Sequence, residues 1–237
     1  VSQDSNEPYF GLDIGPKIDI YIHERSSNEY KPNVEIQPDI GANAGIVGGF
    51  RIDDKMLIEL GFYKNDYKVK MNFISDQGNV FFENTLINTI TSIGVPISIN
   101  MKLKRSSPKH QWYAGVGFMP LMNVKTEREE VFQSVVEEIH NDQKQVIDHM
   151  AYTVSEQELD GAIVTANLNL RYNLLLSEQL VFHVMGTARI GVSGRNQFTT
   201  SHSTLNFQSV TNGFYTKGSG LNLNVGFRYY LNMDDEE

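Results

Sequence analysis

The chain has 237 residues, of which 40% are hydrophobic and 21% are charged, so it is long enough for one large all-β domain and too apolar for a disordered chain. The formal net charge of −9 excludes a typical nucleic-acid partner, since binding to phosphates requires clustered bases. Cysteine is absent, which excludes disulfides, thiolate catalysis and a cysteine-based zinc site.

The first residues, VSQDSNEPYF, are mostly polar. We interpret residues 1–8 as a flexible segment of the kind left after a signal peptide has been removed. No stretch approaches the roughly 20 consecutive apolar residues that a membrane-spanning helix requires. That observation leaves membrane-spanning strands open, because only every second residue of such a strand is apolar.

Eight stretches then alternate strictly between apolar and polar residues, which is the period of a β-strand whose two faces meet different surroundings. The last stretch, GLNLNVGFRYYLN, is the clearest, since every odd position from Leu221 to Leu231 is apolar. The eight predicted strands are 9–23, 34–52, 56–63, 90–104, 111–125, 162–174, 180–195 and 220–232.

The connections between these strands alternate between long and short. Short turns are predicted near 53–55, 105–110 and 177–179, and long connections near 24–33, 71–88, 127–160 and 197–218. This order predicts an all-β fold, an eight-stranded antiparallel up-and-down transmembrane β-barrel over residues 9–232. Its short turns and both chain ends would be periplasmic, and its longer loops extracellular. Residues 233–237 form an acidic C-terminal tail.

The composition of the two faces favours a membrane barrel over a soluble lipocalin-like barrel. A soluble barrel would expose Lys and Glu on its polar face, whereas this polar face is rich in Gly, Asn, Ser and Thr, which suit a narrow closed lumen. Aromatic residues lie near the strand ends, and aromatic girdles at both membrane interfaces are expected of a lipid-facing surface. These aromatic residues are Phe10, Phe50, Phe62, Trp112, Tyr172, Phe182 and Tyr229.

The inward charges are sorted along the chain. The first three predicted strands carry Asp13, Asp19, Glu35, Asp39 and Glu59 with Lys17 and Arg51, and the later strands carry Lys102, Lys104, Lys125, Arg171, Arg189, Arg195 and Arg228. Because buried charges must be paired, we predict a lumen charge network. Its members are Asp13, Asp39, Glu59, Arg171, Arg189 and Arg228, with Arg189 and Arg228 pairing with carboxylates such as Asp13, Asp39 and Glu59. The alternative is that several of these charges lie beyond the membrane in water.

Residues 127–160 form an acidic excursion with ten acids and two bases. Its apolar residues suggest a protein-contact surface on the extracellular side. The candidate contact residues are Val131, Val135, Ile139, Val146 and Met150. Asn141-Asp142 favours a hairpin that extends the fifth and sixth strands, and a short amphipathic helix over 130–140 is the competing interpretation.

Two segments carry a recognisable pattern. GIVGGFRIDDKMLIELGFYKND forms a glycine-rich strand, turn and strand, and TSIGVPISINMKL has Val95-Pro96-Ile97 followed by Lys102 and Lys104. The first resembles the glycine-rich strand, turn and strand, and the second resembles the fourth strand, of the Bacteroidota family of small outer-membrane β-barrel proteins. WYAGVGFMP and VGFRYYLN fit the following and closing strands, although the chain continues into MDDEE instead of ending at an aromatic residue. The resemblance implies an outer-membrane location and no catalytic machinery, in stand-alone barrels or in subunits of larger machines such as secretion complexes.

No residue pattern indicates an enzyme or a cofactor. The six histidines show no HExxH or other tight metal spacing. His140 and His149 among acids, and Ser201-His202-Ser203, leave a weak cation site and a lipid-modifying enzyme as remote alternatives. We therefore predict a non-enzymatic structural or interaction subunit, without cofactors, in contact with outer-membrane lipid and with other outer-membrane or periplasmic proteins. A small-solute porin is the main alternative.

Overall fold

The structure, a computed structural model, describes residues 7–24, 33–52, 55–77, 80–104, 106–127, 132–140, 143–204 and 207–231. The strands are β1 (Glu7–Asp19), β2 (Ile22–Glu24), β3 (Asn33–Pro38), β4 (Ile40–Ile52), β5 (Met56–Gln77), β6 (Val80–Gly94), β7 (Ile97–Lys102), β8 (His110–Glu127), β9 (Phe132–His140), β10 (Gln143–Leu175), β11 (Leu180–Thr204), β12 (Phe207–Thr216) and β13 (Gly220–Tyr230). Glu7 and Pro8 already belong to β1. The rest of the predicted segment 1–8 and the predicted tail 233–237 lie outside the described residues.

Eight strand positions form a closed antiparallel ring, as the alternation predicts. Its order is β1, β4, β5, β6 followed by β7, β8, β10, β11 and β13, and β13 pairs with β1 to close the ring. The predicted strand 90–104 is interrupted at Val95-Pro96, because proline has no N–H to donate to the ladder. The backbone N–H of Gly61 donates to the Pro96 carbonyl (2.9 Å), which keeps the wall continuous there.

Three short turns and both terminal strands meet at one end of the barrel, which we call the short-turn end. The backbone N–H of Tyr230 donates to the Gln179 carbonyl (2.8 Å), and that of Leu231 donates to the Pro8 carbonyl (2.9 Å).

At the opposite end of the barrel, which we call the hairpin end, the strands continue as hairpins. The segments predicted as long loops are therefore largely β-strand. The hairpin β9–β10 pairs from Gln143↔His140 to Phe132↔Tyr152, so the favoured hairpin is observed, and Phe132–His140 do not form the competing helix.

The wall alternates in burial as predicted. Leu12 and Ile14 are 64% and 62% exposed on the outside, while Asp13 between them is 3% exposed and faces the lumen. Six of the seven predicted aromatic residues gather near the short-turn end, where Phe10 contacts Tyr229 with ring centroids 5.6 Å apart. Phe62 pairs with Ile46 further along the wall. No helix among the described residues is long and apolar enough to cross a membrane.

Candidate functional site

The lumen contains a first ion layer made of Asp13, Glu59, Arg171 and Arg228. Arg228 donates from Nη1 and Nη2 to the two Asp13 oxygens (2.6 and 3.0 Å) and from Nε to Glu59 Oε1 (3.1 Å). Arg171 donates from Nη1 to Glu59 Oε1 (2.9 Å) and from Nη2 to Oε2. Tyr63 adds a hydroxyl bond to Asp13. All five side chains are buried, so two acids and two bases neutralise each other through paired, charge-assisted hydrogen bonds.

A second ion layer, made of Lys17, Asp19 and Arg189, lies nearer the hairpin end. Arg189 Nη2 donates to Asp19 Oδ1, and Lys17 Nζ lies 3.2 Å from Asp19 Oδ2. The Lys17 ammonium also lies over the Tyr67 ring, 2.9 Å from its centroid. In this layer a single carboxylate, that of Asp19, therefore forms ion pairs with two basic side chains.

The pairing register explains which charges meet. Arg189 pairs with Gly220 on β13, and Gly220 pairs with Asp19 on β1, so the three residues form one row across three strands. Glycine at the middle of this row leaves room for the guanidinium to cross it, since a Cβ on Gly220 would lie 2.9 Å from Arg189 Nη2. His183, Gly226 and Asp13 form an equivalent row, in which His183 Nε2 lies 3.1 Å from Asp13 Oδ1.

Amide and hydroxyl side chains separate the two ion layers. Thr187 donates to Asn169 Oδ1 (3.0 Å), and Asn169 Nδ2 donates to Asn100 Oδ1 (3.3 Å). A cavity of about 40 Å³ remains between the layers, and both Glu59 and Arg189 reach its lining. This volume admits only a few water-sized particles, because about 10–15 Å³ of such space holds one water molecule.

Apolar layers lie beyond both ion layers. At the short-turn end the buried cluster consists of Tyr9, Leu57, Tyr113, Val181 and Tyr230, and Leu175 packs against it.

At the hairpin end, Ile90, Leu121, Ile163 and Phe214 are buried. Gly218 (φ 80°) bends the chain inward there, and a Cβ on it would lie 2.9 Å from Thr165 Cγ2. These apolar layers shield the ion layers from water at both ends.

The structure places five of the six predicted network residues in these layers and leaves Asp39 out. Asp39 lies at the start of β4, where its Oδ1 accepts the backbone N–H of Ile40 (2.8 Å), and it forms no ion pair within the described part of the chain. Arg189 meets Asp19 instead of Asp13, Asp39 or Glu59. Sequence reasoning did not find Tyr63 or His183, although their inward positions in the alternation were available as a signal.

The predicted contact residues fall at the hairpin end. Val135 and Ile139 belong to β9, and Val146 and Met150 belong to β10, so their backbones share one hairpin, while Val131 lies outside the described residues. The backbones of Ser201, His202 and Ser203 lie in β11. No group of three or more His, Asp or Glu side chains that could hold a metal occurs in the described part of the chain.

The first ion layer can neutralise the buried charges and connect the strands across the lumen, because each carboxylate accepts hydrogen bonds from arginines of the same layer. Both Glu59 oxygens accept from arginines, and both Asp13 oxygens accept from Arg228. A catalytic carboxylate needs a position beside it for a reacting group. These two carboxylates are already occupied by arginine donors, so their geometry serves stability.

No protein-family model matches the sequence, and no curated protein matches it. Among solved structures, the outer membrane protein OprG from Pseudomonas aeruginosa is similar, with a TM-score of 0.62 at 10% identity over 96% of this chain and 97% of OprG. A major outer membrane protein from Thermus thermophilus (TM-score 0.45, 10% identity, 94% and 99% coverage) and AlkL (TM-score 0.45, 10% identity, 100% and 95% coverage) are more distant. The likeness to OprG, together with the closed ring, shows that this chain has the fold of a small eight-stranded outer-membrane β-barrel.

Proposed function

We propose that the protein is a non-enzymatic integral outer-membrane barrel that works as a closed structural platform and presents its hairpins to partner proteins. The observation that carries this proposal is the filled lumen, in which two ion layers are enclosed between two apolar layers. In the proposed orientation the short-turn end and both chain ends are periplasmic, which is the usual arrangement in outer-membrane barrels.

The outer wall supports a membrane location. Large apolar side chains are exposed on the outward side at each of the eight strand positions of the ring. They include Leu12, Ile46, Phe118, Leu168 and Phe227, each at least half exposed. Soluble monomers rarely expose continuous apolar patches of more than a few hundred Å². A bilayer supplies the apolar surroundings that such a wall requires, and the closed ring satisfies the backbone hydrogen bonds that lipid cannot.

The filled lumen favours a platform over a small-solute porin. Channels for solutes are typical of barrels with about 16–18 strands, whereas eight strands leave an interior that side chains fill. Here Arg228 reaches across the lumen from β13 to Glu59 on β5, and the space left between the layers is about 40 Å³.

We expect the purified barrel to give no stable conductance in planar bilayers at 1 M KCl. Channel events should be no more frequent than in a detergent control. A general porin reconstituted in the same way is the positive control for insertion. Protease protection of the barrel in the same membrane would show that it is inserted. Long-lived unitary conductance steps from inserted protein would favour the porin alternative.

The hairpin β9–β10 is the proposed contact element, since it extends beyond the wall and carries the acidic excursion. Phe132 and Tyr152 are paired, so residues 133–151 can be replaced by an Asn-Gly turn without changing the register below. We expect this variant to assemble and to show normal heat-modifiable migration on gels. It should lose proteins that co-purify with the wild type from its native outer membrane in mild detergent.

The matched control shortens the hairpin β5–β6 at the paired residues Asn72 and Thr85, by replacing residues 73–84 with the same turn. This change removes the outer part of a hairpin at the same end of the barrel and keeps all residues of β9 and β10. Equal loss of partners from both variants would assign the contact to the hairpin end in general. Unchanged partners in both variants would contradict a contact on these hairpins.

A further inference from the structure

The two ion layers differ in their balance of charge. The first layer has two carboxylates, Asp13 and Glu59, and two arginines, whereas the second has one carboxylate, Asp19, for Lys17 and Arg189. All these side chains are buried. With Lys17 charged and His183 neutral, the buried charged side chains among the described residues are four bases and three acids. The excess positive charge therefore lies in the second layer.

Neighbouring acids do not remove this excess. Asp66 is partly exposed and already interacts with Lys64 Nζ (3.2 Å) and with the Thr91 hydroxyl (2.7 Å). Glu59 lines the cavity between the layers, but both its oxygens accept hydrogen bonds from Arg171, and Oε1 also accepts one from Arg228. An uncompensated charge inside a protein is costly, so a counter-charge at the second layer would stabilise the barrel.

Arg189 has donors to spare beside the cavity. Its side chain is fully buried, Nη2 donates to Asp19, and the guanidinium carbon lies 5.9 Å from the centroid of the Tyr67 ring. Within the described part of the chain, Nε and Nη1 have no hydrogen-bond partner, and the residue lines the cavity of about 40 Å³. A guanidinium carries five N–H donors and no acceptor, so only an acceptor or an anion can satisfy them.

The other polar groups around the cavity are compatible with an anion. Asn222 and Asn224 line it. A side-chain amide carries an –NH₂ group with two donors, so both residues can donate to a bound anion. Thr187, whose hydroxyl bonds to Asn169, completes this side of the lining.

We propose that the cavity between the ion layers binds one small monovalent anion, of the size of chloride or bromide, held by Arg189 and by the amides of Asn222 and Asn224. The volume of about 40 Å³ is sufficient for a monatomic ion of this size. The ion would neutralise the second layer and brace the middle of the barrel. The anion site is compatible with both a platform and a porin. The anion proposal and the proposed function can therefore fail independently of each other.

The direct test is to refold the wild-type protein in sodium bromide, so that the ion can enter as the barrel closes, and to crystallise it in the same salt. Anomalous diffraction at the bromine edge should show a peak in the cavity beside Arg189 Nε or Nη1. A second crystal, prepared in sodium gluconate, should show none. The absence of a cavity peak in the bromide crystal would overturn the proposal.

The second test compares unfolding midpoints in sodium chloride and in sodium gluconate at equal ionic strength. Chloride should raise the wild-type midpoint, because ligand binding to the folded state stabilises it by mass action. Arg189→Gln should lose this chloride-dependent rise, whereas Lys104→Gln, which removes an exposed base, should keep it. A rise that persists in Arg189→Gln would place the chloride effect elsewhere and contradict the site. If Arg189→Gln does not fold, the bromide crystal of the wild type decides.

Discussion

Replacing Arg228 with Leu is expected to destabilise the barrel by about 3–5 kcal/mol, because removing one member of a buried ion pair leaves its partner uncompensated. Arg228 bonds to both Asp13 and Glu59, so its loss leaves Asp13 without a guanidinium and Glu59 with Arg171 as its one remaining guanidinium. The measurement is the urea midpoint and slope of the protein folded in lipid vesicles.

The matched control is Lys64→Leu. Lys64 also forms an ion pair, with Asp66 at 3.2 Å, but its side chain is 62% exposed. Exposed pairs contribute about 0–1 kcal/mol, and a leucine on this outward face of β5 suits lipid, so this variant should lose no more stability than that amount. If Arg228→Leu and Lys64→Leu changed the midpoint equally, the first ion layer would not be a buried network.

The second large effect is expected on the outer wall. Leu168 is 54% exposed on β10, midway between the short-turn end and the hairpins. In the proposed membrane orientation it faces the lipid near the middle of the bilayer. An arginine at such a position in a transmembrane barrel costs about 2–4 kcal/mol, so we expect Leu168→Arg to reduce the unfolding free energy in vesicles by that amount.

Leu176→Arg provides the control for depth. Leu176 is similarly exposed (51%) but lies in the short turn after β10, where an arginine would reach the membrane interface. The cost there should fall to about 0–1 kcal/mol. In a water-soluble barrel both leucines would already face solvent, and both variants would be nearly neutral. Equal, small effects in vesicles would therefore contradict a membrane-spanning wall.

The ring and its two faces could be predicted from the sequence because alternation is a local property. Every apolar residue of the closing strand from Leu221 to Leu231 is exposed, and Asn224, Arg228 and Tyr230 between them are buried. The short turns could be predicted because they separate alternating stretches by only a few polar residues. The hairpins were predicted mainly as loops, since alternation of apolar and polar residues is weak there.

The individual ion pairs could be predicted only in part, because they depend on how far each strand is shifted against the next. Arg189 meets Asp19 only because both pair with Gly220, and alternation carries no information on that shift. Asp39 was assigned to the lumen network by the same alternation, but it lies at the start of its strand and bonds to its own backbone neighbour. The apolar layers at both ends were also missed, since Leu57 and Val181 occupy positions on the polar face.

The first ion layer also affects how the chain enters a membrane. Asp13 and Arg228 are 215 positions apart in the chain, and Glu59 lies 169 positions from Arg228, so these contacts form only when the first and last strands meet. In an open sheet the same charges would face water or, after premature entry, hydrocarbon, where they are costly. Partial insertion is thus penalised until the ring is complete, and the interior charges make closure and entry into the bilayer a single cooperative step.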